Sequence, residues 1–151
     1  MKKYLLFPIA LLLVSACAKK ETTSDQITLE DTLQQKNGTV LTYQKPLKPL
    51  ISLKRDQAVY SPEYQNRLQK IAEYYLAKSN QNLVKFHKSK PESNLGYSVE
   101  ENEWEGVQYT QIGIFTKSGS NMSTLQWLFY EPKSQKLYEF DLNSKKLQEF
   151  K

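Results

Sequence analysis

The sequence predicts a small α+β domain in which one amphipathic helix packs on an antiparallel β-meander of about four to five strands. Two observations predict this class. A helical pattern with a recognisable start covers residues 61–83, and short β-prone segments separated by polar turns follow from residue 95 to the end. The length of 151 residues fits a single domain.

The helix is predicted from the stretch "SPEYQNRLQKIAEYYLAKSNQNL". Ser61 suits the cap, Pro62 suits the first helical position, and Glu63 complements the positive end of the helix dipole. Apolar residues recur at three-, four- and seven-residue steps and form one stripe: Tyr64, Leu68, Ile71, Ala72, Tyr75, Leu76 and Leu83. The charged residues lie largely on the other side, among them Glu63, Arg67, Lys70, Glu73 and Lys78. We expect the helix to end or fray at residues 79–82.

The strands are predicted near residue 95, at 106–117 and at 123–131, with the loop 118–121 joining the last two as a hairpin. In the segment 106–117, Ile112 and Ile114 share one face while Tyr109 and Phe115 share the other, which favours a central strand. The C-terminal stretch "YEPKSQKLYEF" (130–140) is repeated ten residues later as "FDLNSKKLQEF" (140–150). Since solenoids need three or more copies, we interpret the repeat as hairpin geometry that recurs.

Residues 39–60 combine a short β-prone run with two closely spaced prolines. The run "TVLTY" (39–43) is short and β-prone, and Pro46 and Pro49 then make a P-x-x-P spacing. This spacing is typical of a docking segment for an aromatic groove or of an extended connector draped over the domain, and we favour the connector.

The N-terminus carries a targeting signal. Lys2 and Lys3 precede an apolar run of about ten residues, which is too short to span a bilayer and is typical of a secretory signal peptide. Val14-Ser15-Ala16-Cys17 follows, and it resembles the lipobox of bacterial lipoproteins. The resemblance implies cleavage before Cys17, a diacylglyceryl group on its thiol, and an acylated new N-terminus.

Alanine rather than aspartate follows Cys17. In enteric-type Gram-negative bacteria this resembles an outer-membrane lipoprotein, so we expect a lipid-anchored domain that faces the periplasm or the cell surface. We therefore divide the chain into a signal peptide (1–16), a lipidated N-terminus with a flexible tether (17–38), and a single α+β domain (39–151). A helix on a meander is similar to cystatin-like and PepSY-like export domains, by analogy of fold alone.

Composition excludes several kinds of site. The chain has a net charge of +5, and loss of Lys2 and Lys3 with the signal peptide reduces it to +3. Nucleic acid is therefore not expected as a partner. Lipidation of Cys17, the single cysteine, leaves none for a disulfide or a thiolate site. Glu101, Glu103 and Glu105 alternate, which is the pattern of a charged exposed face of a strand or of a bulged turn and not of a calcium site.

One group of residues remains as a candidate contact. His87 is the only histidine, and it is predicted to lie in a loop between lysines, where a solvated side chain is favoured over a catalytic base. Lys85, Lys88 and Lys90 make this stretch the most basic in the chain. We interpret Lys85, His87, Lys88 and Lys90 either as a solvated loop or as a contact for an acidic protein, an anionic lipid or lipopolysaccharide.

These observations favour a non-enzymatic envelope lipoprotein that binds another envelope component or assists assembly, without cofactor or metal. The alternative is a periplasmic inhibitor or immunity lipoprotein that blocks a toxin or hydrolase. A hydrolase that uses His87 as its base is the third hypothesis.

Overall fold

The fold is seen in a computed structural model, which describes residues 29–151. This part of the chain contains two helices and two sheets. The elements, in chain order, are β1 (Glu30–Gln34), β2 (Val40–Gln44), β3 (Ile51–Lys54), α1 (Pro62–Lys78), α2 (Asn82–Lys88), β4 (Asn94–Trp104), β5 (Val107–Ser118), β6 (Asn121–Glu131), β7 (Lys136–Asp141) and β8 (Lys146–Glu149). The α+β class is confirmed, and the structure adds a second helix and the three strands β1–β3 to the predicted helix and meander of about four to five strands.

The larger sheet has the order β3-β4-β5-β6-β7-β8, and the strands from β4 to β8 form the antiparallel meander that the sequence predicts. Its last two turns explain the ten-residue repeat. Gln135 and Lys145 occupy equivalent positions, each with positive φ, and each amide donates to the last residue of the preceding strand. The repeat is therefore one hairpin turn used twice.

Strand β3 pairs in parallel with β4, with Ile51 opposite Gly96. The prediction that the proline-containing stretch 44–56 is an extended connector is wrong for residues 51–54, which form this strand. A parallel pair requires a long crossover, and the two helices between β3 and β4 provide it.

Helix α1 begins as predicted, because the Ser61 hydroxyl accepts a hydrogen bond from the Tyr64 amide at 3.2 Å and Pro62 is the first helical residue. It ends at Lys78, and the chain is extended at Ser79 before α2 starts at Asn82. Residues 82 and 83 therefore belong to a second helix. Serine and asparagine side chains compete for backbone hydrogen bonds, which favours a break there.

Strands β1 and β2 form an antiparallel ribbon that lies against α1. The prediction that the flexible tether extends to residue 38 is wrong for residues 30–34, which form β1. Asp31 and Leu33 alternate with the exposed Glu30 and Thr32, and Leu33 is buried. Burial of one face is what orders this short strand. Residues 1–28, including the predicted signal peptide and Cys17, lie outside the described residues.

The main core lies between the large sheet, α1 and the ribbon. It contains the predicted stripe of α1 together with one face of the central strands, including Leu68, Ile71, Tyr75, Ile112, Ile114 and Leu128. Three side-chain hydrogen bonds join α1 to the large sheet, and they pair Tyr64 with Thr110, Arg67 with Tyr130, and Tyr75 with Glu139.

The opposite face of the large sheet carries an aromatic cluster. Trp104 lies at the end of β4, yet its ring centroid is 5.8 Å from Phe129 on β6 and 5.4 Å from Phe140 on β7. The sheet therefore curls toward this face, and Trp104 packs on the side opposite the exposed Glu101 and Glu103. Tyr109 and Phe129 are buried in the cluster, which confirms that both faces of the central strands are apolar.

Candidate functional site

The predicted contact residues lie together on one short helix and the turn that follows it. Lys85, His87 and Lys88 belong to α2, and Lys90 lies two residues beyond its end. The expectation that His87 lies in a loop is therefore wrong. Within α2 only Val84 is fully buried, because this one side chain enters the core while the others remain at the surface.

Two large apolar side chains on α2 are exposed. Leu83 is 58% exposed and Phe86 is 52% exposed, and they lie three residues apart, on neighbouring turns of the helix. The sequence pattern assigned Leu83 to the buried stripe of a single long helix. That assignment was wrong because the break at residues 79–81 resets the helical phase, so that Val84 faces inward instead. We call the set Leu83, Lys85, Phe86, His87, Lys88 and Lys90 the α2 patch.

Lys88 has a structural role inside the α2 patch. Its ammonium donates to the carbonyl oxygens of Leu76 at 3.0 Å and of Ala77 at 3.3 Å, which are carbonyls in the last turn of α1. A helix leaves its last carbonyls without partners and carries partial negative charge there, so a lysine is stabilising at this position. Lys88 therefore links the two helices.

Lys90 and His87 both pack against Phe86. The Lys90 ammonium lies 4.0 Å from the centroid of the Phe86 ring, in cation–π geometry. The His87 ring meets the same ring edge-on at 5.1 Å, and its Nδ1 is 3.3 Å from the Ser93 hydroxyl. Nucleophilic catalysis by a serine and a histidine also needs a third group that orients the base. Across residues 29–151, no carboxylate oxygen lies within 4 Å of a ring nitrogen of His87.

The α2 patch carries positive charge that neighbouring acids do not neutralise. The ion pairs in the described part of the chain involve Lys45, Lys70 and Lys136, and none involves a lysine of the patch. Lys48 adds a further charge nearby, because its ammonium donates to the carbonyl of Pro91 just after the patch. Exposed apolar groups set among unpaired lysines suit an acidic surface that also has apolar side chains.

The acidic stretch lies on the large sheet. Glu101 and Glu103 are exposed on β4, where Glu103 accepts a hydrogen bond from Gln108 at 2.6 Å, and Glu105 lies in the β4–β5 turn. In residues 29–151 no group of three or more histidine, cysteine, aspartate or glutamate side chains is arranged to hold a metal ion. Among the two described helices, neither has the length and apolarity needed to cross a membrane.

No protein-family model, curated protein or solved structure matches the chain. The similarity to cystatin-like and PepSY-like domains therefore stays a prediction.

Sequence reasoning missed the two exposed apolar residues of the α2 patch and the helical state of the basic stretch. A signal for the helix was present, since Leu83, Phe86 and His87 follow the three- and four-residue spacing of a helical turn. Their exposure was not visible in the pattern, because the same spacing also describes a buried helix face.

Proposed function

We propose that the protein is a membrane-anchored envelope lipoprotein with a non-enzymatic binding or assembly-accessory role, and that the α2 patch binds an acidic surface of an envelope protein. The anchor is a lipid on Cys17, and the domain faces the periplasm or the cell surface from the outer membrane. One observation carries the proposal: Leu83 and Phe86 are exposed on the same seven-residue helix as Lys85, beside Lys90.

The energetics of the patch support a protein partner. Covering an exposed leucine or phenylalanine contributes about 1.5–3 kcal/mol per side chain, and aromatic anchors of this kind are common at the centre of interfaces. Lys85 and Lys90 lie beside these anchors, where positive charge steers an acidic partner and selects against a basic one. Lys88 contributes indirectly, since it orients α2 on the end of α1.

Site-specific photo-crosslinking in intact envelopes tests the proposal. A photoreactive residue at Phe86 or Leu83 is expected to capture a discrete protein. Val59 is the matched control, because it is 94% exposed and precedes the opposite end of α1, which is about 25 Å long. Capture at Val59 as strong as at Phe86, or no capture at either α2 position, would overturn the proposed surface.

Charge reversal separates the lysines from the apolar anchors. We expect the double variant Lys85→Glu and Lys90→Glu to abolish the crosslink from Leu83, whereas Lys133→Glu, in the β6–β7 turn, leaves it intact. The captured protein also decides the role. A toxin or hydrolase as the partner would favour the inhibitor or immunity function over assembly.

A further inference from the structure

A groove of about 640 Å³ lies away from the α2 patch, between α1, the β1–β2 turn and the C-terminal strands. Parts of the chain that are distant in sequence form its walls. Gln35, Lys36 and Asn37 lie on one side, Arg67 lies on the helix, and the segment from Glu149 to Lys151 lies opposite. The volume is within the range of small-molecule sites, which is about 300–1,000 Å³. We call it the α1–β8 groove.

The floor of the α1–β8 groove is apolar. Side chains from the ribbon, the helix and the last strands provide it: Leu33, Leu41, Ile71, Tyr74, Leu137 and Phe150. Phe150 is held in place because its amide donates to the Leu137 carbonyl at 2.8 Å and its ring meets Tyr74 edge-on at 5.9 Å. Leu41 and Phe150 are half-buried and present most of the apolar surface that a ligand could reach, whereas the other four side chains are core residues less than 10% exposed.

Arg67 lies at the edge of this floor, and all its hydrogen-bond acceptors are neutral. Nε donates to the Tyr130 hydroxyl at 2.5 Å, one terminal nitrogen donates to the Gln34 carbonyl at 3.0 Å, and the other donates to the Gln135 side chain at 2.9 Å. A guanidinium has five N–H groups, so two remain for a ligand. Within residues 29–151, no carboxylate lies within 4 Å of Arg67.

The other charged groups of the groove add to its positive potential. Lys36, Lys136 and Lys151 line it together with Arg67, and Glu149 is the only acid among the lining residues. Glu149 pairs with Lys136 at 2.9 Å, and the charge of Lys151 also acts on its carboxylate. Among the lining residues one acid therefore faces four basic side chains, and the groove keeps a net positive charge. A half-buried arginine without a counterion, next to an apolar floor, is complementary to an anion that carries an apolar chain.

We propose that the α1–β8 groove binds a long-chain fatty acid, with the carboxylate on Arg67 and the acyl chain along the apolar floor. The recessed floor argues against a bilayer surface as the occupant, since membrane-surface binding needs apolar side chains that protrude into the lipid. The absence of a second acid on the rim distinguishes the groove from a site for a cationic or zwitterionic ligand. This site is independent of the α2 patch and of its protein partner.

Fluorescence displacement tests the proposal on the chain carrying Cys17→Ser, so that no covalently attached lipid competes. The probe is cis-parinaric acid, a fluorescent long-chain fatty acid. We expect oleate to displace it, and oleyl alcohol, which has the same chain without the carboxylate, to bind about tenfold or more weakly. Hexanoate and an acidic peptide of mixed glutamate and leucine are expected not to displace the probe.

Variants locate the site. Arg67→Gln is expected to weaken oleate binding about tenfold or more, whereas Arg55→Gln, an exposed arginine outside the groove, leaves it unchanged. Because Arg67 joins three elements, its variant also needs a thermal unfolding curve. The pair Lys36→Gln and Lys151→Gln removes two exposed rim charges and one exposed hydrogen bond, from Lys36 to the Lys133 carbonyl, and is expected to weaken binding several-fold without loss of fold.

The opposite results would overturn the proposal. Equal affinity for oleate and oleyl alcohol would show an apolar site without anion recognition. Displacement by the acidic peptide but not by oleate would assign the groove to a protein segment. Unchanged oleate affinity in a folded Arg67→Gln, or in the Lys36 and Lys151 pair, would place fatty-acid binding elsewhere.

Discussion

The hydroxyl of Tyr43 on β2 donates a hydrogen bond of 3.0 Å to the carboxylate of Glu73 on α1. Both residues are buried, and Gln69 donates to the second carboxylate oxygen at 2.9 Å. The ammonium of Lys45 lies 3.9 Å from the same carboxylate, which supplies an opposite charge. A buried carboxylate is costly without such partners, so this cluster holds the ribbon on the helix.

Removing the Tyr43 hydroxyl is expected to destabilise the domain. Tyr43→Phe keeps the ring but deprives Glu73 of a donor, which should lower the free energy of unfolding by about 1.5–3 kcal/mol. Tyr138→Phe is the control, because that hydroxyl makes no hydrogen bond within residues 29–151 and its ring packs on Tyr109, on the other face of the sheet. Urea unfolding at pH 7 measures the free energy of unfolding of both variants. If Tyr43→Phe were as stable as Tyr138→Phe, the stabilising role of the Tyr43 hydroxyl would be contradicted.

Stability is expected to fall in acid because of Asp31 on β1. The hydrogen bond from Lys70, at 2.7 Å, is the largest of the effects that lower the pKa of this carboxyl below 3.8. A carboxyl with a lowered pKa stabilises the fold above its unfolded pKa, and this contribution is lost as the pH falls through the folded pKa. The free energy of unfolding, measured from pH 7 to pH 2.5, should therefore begin to fall near pH 4.

The variant Lys70→Gln tests the origin of this acid dependence. We expect it to be less stable than the natural chain at pH 7 and to lose less stability between pH 7 and pH 2.5. Lys133→Gln, a lysine in none of the described ion pairs, should keep the natural pH profile. An unaltered acid profile in Lys70→Gln would assign the loss to other carboxyls.

Alkaline pH is expected to destabilise the domain through buried tyrosines. Burial raises the pKa of Tyr64 to about 12, and burial together with the hydrogen bond to Glu139 raises the pKa of Tyr75 above its ordinary value of 10.0. A group with a raised pKa stabilises the fold fully below its unfolded pKa, and the contribution is lost as the pH rises through the folded pKa.

Unfolding free energies from pH 8 to pH 11.5 should therefore decline above about pH 10. Tyr75→Phe removes one of the responsible groups, so its decline over the same interval should be shallower than that of the natural chain. A parallel decline in both proteins would show that Tyr75 does not contribute.

Lys88 is expected to stabilise the junction between the helices. Lys88→Met preserves much of the side-chain length but removes the donor to the last carbonyls of α1, at a cost of about 1 kcal/mol. Lys85→Met, three residues earlier and exposed, should change the unfolding free energy by less than about 0.5 kcal/mol. Thermal unfolding compares the two variants directly. An equal loss of stability in both would show that Lys88 does not cap α1.

The fold could be predicted wherever the signal is local. Ser61 and Pro62 start a helix through their own side chains, and the alternation around Ile112 and Ile114 gives a strand with two apolar faces. The ten-residue repeat likewise predicted two successive hairpins, because a turn is specified by the few residues that form it. The basic stretch at residues 85–90 was also visible as a cluster of charge.

The sequence by itself determined the helix start, the meander and its turns, since each depends on neighbours along the chain. Only the tertiary structure decided which surfaces meet. From the sequence, Glu73 is expected to be an exposed helix residue, but in the fold Tyr43 covers it. Arg67 is expected to be a solvated charge, but in the fold it donates to three neutral acceptors. The physical reason is that burial and hydrogen-bond satisfaction depend on partners 30 or more residues away, which no local pattern encodes.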